Sequence, residues 1–163
     1  MKNLKPILYA AVLVGVLDIT ATCINLGVTY GFGPLRVLKG VAGGFLGRSA
    51  VEGGFATAAL GLAMHFTMAL TVVTIFYALS RRFPLLLRYA VQAGLFYGLA
   101  VFMVNNFGTA PFLSWVRSLY LYTPILFKPP MGWSQLVIHL FCVGLPIALV
   151  MHRYAPAAAR IDR

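Results

Sequence analysis

Apolar residues in this chain come in four long runs, and most charged positions fall between them. The runs cover residues 7–26, 56–79, 89–107 and 133–151. About 20 apolar residues at 1.5 Å each cross a hydrocarbon layer about 30 Å thick, so each run suits one transmembrane helix. The second, ATAALGLAMHFTMALTVVTIFYAL, holds no formal charge. The third follows the break Arg81-Arg82-Phe83-Pro84, and the fourth carries Pro146. Within a membrane helix a proline more often makes a kink than a stop. The pattern predicts an all-α membrane protein, a four-transmembrane-helix bundle forming one domain over residues 1–163.

Two connections join the runs on one side of the bundle. Residues 27–55 include LRVLKGVAGGFLGRSA, a broken amphipathic pattern with glycines at 40, 43, 44 and 47. A helix over about 34–50 is expected there, either interfacial or dipping back into the bundle as a re-entrant segment. Residues 108–132 set Trp115, Tyr120, Tyr122 and Phe127 beside Pro124, Pro129 and Pro130, which reads as an aromatic interfacial loop. The first run also admits a signal-peptide reading, since Lys2 and Lys5 precede the apolar stretch 7–17. No clean Ala-x-Ala site follows and the run continues to Leu26, so a retained helix is expected.

Composition sharpens the membrane reading. Apolar residues make up 61% of the chain and charged ones 10%, against about 25% charged in soluble domains. The net charge of +10 would ordinarily suggest nucleic acid. Here the bases sit at the margins of apolar runs without interleaved aromatics, which fits phospholipid headgroups and excludes a nucleic-acid partner. Lys2, Lys5, Arg81, Arg82, Arg88, Arg153, Arg160 and Arg163 fall on one side, and Arg36, Lys39, Arg48, Arg117 and Lys128 on the other. That bias orients both termini to the cytoplasm, as in a multi-pass protein of a bacterial inner membrane.

The polar residues inside the runs carry whatever chemistry there is. Asp18 lies mid-run, and its helix face continues through Gly15, Thr22 and Asn25. An acid there must face protein or water. His65 on the second run and His139 on the fourth fall near the same height, so three titratable groups converge on one layer. Asn105 and Asn106 stand near the outer end of the third run, to cap it or to line a vestibule. Ala90, Gly94 and Gly98 make a short row of small residues for close helix contact within the bundle or between copies. Thr67, Thr71 and Thr74 face away from His65 and are expected to bond back to their own helix. Cys23 and Cys142 read as free thiols behaving as small hydrophobes.

Several functions fit this pattern. The polar layer is either hydrogen-bonded glue between helices or a proton- or solute-handling centre, the latter within a homo-oligomer because four helices enclose little volume. A non-catalytic partner or assembly factor of a membrane complex would use the small-residue faces. A b-type haem between His65 and His139 is a further alternative, although no His-x-x-x-His or Cys-x-x-Cys spacing supports a cofactor. Zinc through Asp18, His139 and Cys142 is weaker still. An enzyme acting on lipid or quinone would need acid–base groups nearer the headgroups, and no reaction is specified.

The segments ATAALGLAMHFTMALTVVTIFYALSRRFPLLLR, LFYGLAVFMVNN and VIHLFCVGLPIAL, within residues 37–151, resemble a family of short uncharacterised bacterial inner-membrane proteins. There is a looser likeness to YagU-like inner-membrane proteins. The resemblance implies four helices and a bacterial origin, and no activity or catalytic residue comes with it. The expressed chain should stay with the membrane fraction through alkaline carbonate washing. Reporters at the two ends should report the same compartment, and opposite compartments would remove the even helix count.

Overall fold

The computed structural model describes residues 4–121 and 132–154, which are helical apart from short links. Helix α1 (Leu4–Tyr30) is followed by α2 (Pro34–Leu46) and the single turn α3 (Ser49–Glu52). Helix α4 (Phe55–Arg82) leads through the turn α5 (Leu85–Arg88) into α6 (Ala90–Val104). A π-helical turn, Asn105–Thr109, joins α6 to α7 (Ala110–Leu121) in one rod. The last rod is α8 (Trp133–Ile138), a second π turn His139–Gly144, and α9 (Leu145–Tyr154). Four helices are long and apolar enough to cross a membrane: Leu4–Tyr30, Phe55–Arg82, Ala90–Tyr120 and Trp133–Tyr154. These make the chain a multi-pass membrane protein, and its outward faces carry the exposed apolar side chains of Val12, Val16, Ile75, Phe96 and Phe141.

Contacts at the two ends fix how the rods alternate. Tyr9 and Tyr154 stack at 6.3 Å between ring centroids, and the His152 Nδ1–H donates to the Leu87 carbonyl at 2.7 Å. Lys5, the link over residues 81–88 and Arg153 therefore share one end, called the basic end below. At the opposite end α7 closes over α2. Arg117 donates to the carbonyls of Gly43 and Gly44 at 3.2 and 3.5 Å, and the Tyr120 hydroxyl donates to the Phe45 carbonyl. The final carbonyls of a helix have no partner within it, and a cation placed there satisfies them with favourable charge. Helix α2 rests on α4 at Gly61, where any Cβ would overlap the Leu38 carbonyl, and Ala42 beneath it is fully buried. Its 13 residues reach only about 20 Å, too short to cross.

The basic half of the bundle is an apolar core built on Ala10, Val14, Val73, Phe76, Ile147 and Ala148. Tyr97 packs edge-on against Phe76 and gives its hydroxyl proton to the Val72 carbonyl at 2.6 Å. The third and fourth rods cross backbone to backbone. A Cβ on Gly94 would lie 2.9 Å from Leu145 Cα, and one on Gly98 would strike the His139 carbonyl. On the facing rod, Gly144 meets the Gly94 carbonyl and the Gly98 nitrogen. The small-residue row expected from spacing thus finds its partner inside the chain. Thr67, Thr71 and Thr74 face outward and bond the carbonyls of Ala63, Thr67 and Leu70 at 2.7–2.8 Å.

The third rod departs from expectation. The sequence pattern puts residues 108–121 in a loop, and they continue the helix instead, placing Trp115 and Tyr120 on α7. Asn105 consequently stands at no helix end, so the capping role expected of it is corrected. Asn106 turns inward and donates its amide to the Phe102 carbonyl at 2.8 Å. The cause is visible in both broken rods. Pro111 and Pro146 each lie two residues beyond a π turn. A helix proline lacks an N–H and presses on the carbonyl four residues back, here Phe107 and Cys142. Both carbonyls lie in the widened turn, which absorbs the clash and lets the helix run on. Of the remaining expectations, those on Tyr122, Pro124, Phe127, Lys128, Pro129 and Pro130, and on Lys2, Arg160 and Arg163, lie outside the described residues.

Gly144→Leu should destabilise the bundle by about 3 kcal/mol or more, because neither backbone can yield. At Gly40 no atom lies within 4 Å of the place a Cβ would take. Gly40→Ala should therefore leave stability unchanged or raise it by about 0.5–1 kcal/mol. Thermal unfolding in detergent would separate the two, and equal effects would mean the crossing is loose.

Candidate functional site

Asp18, Thr22, His65 and His139 come together above the apolar core, and Gln135 completes the group. Taken from Lys5, Arg81 and Arg153, the heights of Asp18, His65 and His139 are about 20, 24 and 21 Å. In a layer about 30 Å thick, that puts them beyond the centre, in the half away from the basic end. The observed rods are longer than the apolar runs, which accounts for the outward shift from the midplane. Helix α1 contributes Asp18 and, one turn on, Thr22. Gly15, one turn before, is where α4 comes close enough for the Phe66 ring to cover it.

His65 is held by both ring nitrogens. Its Nε2 lies 2.9 Å from the Gly15 carbonyl oxygen, and its Nδ1 lies 3.9 Å from Asp18 Oδ2. A carbonyl only accepts, so Nε2 carries a hydrogen. Nδ1 then faces a carboxylate oxygen, and two lone pairs oppose each other unless a proton stands between them. At 3.9 Å the two atoms form an ion pair or a water-bridged pair, beyond direct hydrogen-bond length. An acid and an imidazole on different helices thus face each other across a gap that a proton or a water can bridge.

A second chain of contacts runs toward the opposite end. The Gln135 amide donates to Thr22 Oγ1 at 3.0 Å, and His139 Nδ1–H donates to the Gln135 backbone carbonyl at 2.9 Å. The His139 bond sits at the start of the second π turn, and the ring packs edge-on against Phe102 at 5.5 Å. With its hydrogen on Nδ1, neutral His139 keeps a lone pair on Nε2. Two buried atoms have no partner among the described residues: Asp18 Oδ1 and Gln135 Oε1.

Two further residues of the expected cluster stand apart. Asn25 is half-buried near the end of α1, and Asn105 is half-buried in the first π turn; among the described residues no hydrogen bond joins either to Asp18. Gln135 is legible in the sequence only as the residue one turn from His139, and Gly15 only as a gap in the stripe. For the haem alternative, His65 would have to give up the bond from Nε2 to the Gly15 carbonyl, and His139 that from Nδ1 to the Gln135 carbonyl, or each bind iron through its other nitrogen. Among the described residues no three His, Cys, Asp or Glu side chains converge to hold a metal ion.

Comparison of the chain with models of known protein families, with curated proteins and with solved structures finds no match. The site is therefore argued from its own geometry. Thr22→Val keeps the shape and leaves the Gln135 amide without its acceptor, which should cost about 1–2 kcal/mol. Thr71→Val, on an outward face, should stay within about 0.5 kcal/mol of the parent. Chemical unfolding in mild detergent measures both, and a silent Thr22→Val would break the network as described.

Proposed function

We propose that this protein is a small proton-handling component of a bacterial inner membrane, with Asp18 and His65 as the working pair. The Nδ1–Oδ2 contact carries the proposal, because it sets an acid and an imidazole from different helices within reach of one proton or one bridging water. An isolated charge in hydrocarbon is expensive, so the pair holds its proton tightly while dry and exchanges it when water reaches it. A route for water would follow the polar side chains. Gln135 lies just below the exposed Trp133, and the polar line Gln135–Thr22–Asp18–His65 descends from there. On the basic side, Val14, Val73, Phe76 and Ile147 seal the bundle. The pair is loaded and unloaded from the end opposite the basic one, and transfer across the membrane requires that apolar half to open.

The assembly-factor alternative has less support. The glycine faces a docking helix would use are already filled, Gly94 and Gly98 by the fourth rod and Gly61 by α2. Enzymatic action on lipid or quinone would need acid–base groups at headgroup depth, and these lie several ångströms within.

Infrared difference spectra of purified protein, recorded across a pH series, test the proposal. A protonated-carboxyl C=O band should grow on acidification and be missing from Asp18→Asn. His65→Gln should move the pH at which that band appears. A band absent from the parent protein, or present unchanged in Asp18→Asn, would refute proton handling at this pair.

A further inference from the structure

The lining around Asp18 is unbalanced toward acceptors. Asp18 Oδ1 and Gln135 Oε1 are buried and unpartnered among the described residues. Gln135 as a residue is 3% exposed. Asp18 precedes Thr22 by one helical turn, and the Gln135 amide bonds the Thr22 hydroxyl oxygen, so both residues neighbour that hydroxyl. His139 adds the lone pair of Nε2, because its other nitrogen donates to the Gln135 carbonyl. Buried acceptors without donors cost about as much as lost hydrogen bonds, and such a set is satisfied by a species that only attracts lone pairs.

The geometry points to a binding site for a small monovalent cation, sodium by its chemistry, formed by Asp18, Thr22 and Gln135. This rests on the proton-handling reading of the same acid and adds a second occupant to it. Carboxylate, amide and hydroxyl oxygens are hard ligands, which suit a hard ion and not a transition metal. One carboxylate balances one positive charge, whereas a divalent ion would leave a net charge in hydrocarbon. The π turn of the fourth rod begins four residues beyond Gln135. Only one negative charge is available. The sodium ion and the proton therefore exclude each other: sodium enters as a proton leaves Asp18 for water, His65 stays neutral, and the total charge is unchanged.

Equilibrium binding of radioactive sodium to the full chain in detergent, at constant ionic strength with choline, tests this. Binding should saturate, weaken as pH falls and resist a tenfold excess of choline. It should be lost in Asp18→Asn and at least tenfold weaker in Thr22→Val and Gln135→Leu. In the same samples, sodium should suppress the protonated-carboxyl infrared band of Asp18. Absence of saturable sodium binding, or binding that survives Asp18→Asn, would overturn the inference. If the carboxyl band titrates in choline while sodium does nothing, the cation site falls and proton handling stands. If sodium binds through Asp18 but no carboxyl band ever appears, the cation site stands and proton handling falls.

Discussion

In hydrocarbon a peptide or side-chain dipole has no water to bond, and each one left over costs several kcal/mol. Most departures from plain straight helices in this bundle answer that constraint. The carbonyls of the last turn of α2 are met by Arg117 and Tyr120 from α7. Outward threonines turn their hydroxyls back on their own turns, and Tyr97 buries its hydroxyl proton on Val72. Against this pairing, the oxygens Asp18 Oδ1 and Gln135 Oε1 are buried without a partner among the described residues.

The same constraint divides the molecule into two halves. Toward the basic end, small and branched side chains from α1, α4 and α9 fill the interior, and glycines let the third and fourth rods touch along their backbones. Toward the other end, polar side chains replace them and α2 lies across the bundle. The tight half holds the rods in register, and the looser half receives the acid, the histidines and their amide neighbour. Stability and chemistry are thereby assigned to different levels of the same four helices.

Much of this is legible from residues alone. Four apolar runs imply four rods, since runs of that length admit few other solutions. Asp18, His65, Thr22 and His139 draw notice because an ionisable or polar group in hydrocarbon has few neutral explanations, and spacing suffices to put them at similar heights. Gly94 and Gly98 announce a close crossing, but their partner Gly144 is a lone glycine whose meaning appears only once the rods are paired. The continuation of the third rod is hidden because Asn105, Asn106, Gly108 and Pro111 together resemble a helix terminus. A π turn reverses that conclusion, and it depends on tertiary support that no local pattern records. Asn25 lies about two turns beyond Asp18 toward the end of α1, and Asn105 belongs to the π turn of another rod, which separates them from the cluster.

Each π turn inserts one residue relative to a regular α-helix, and one residue corresponds to about 100° of rotation. The two portions of the fourth rod on either side of its π turn are thus offset by more than a quarter revolution from an uninterrupted helix. Pro146, half-buried and two residues beyond that turn, sets the azimuth at which Gln135 meets Thr22. The alignment of the polar half is in this sense stored as phase in the helix, written by a proline about 16 Å farther along the axis.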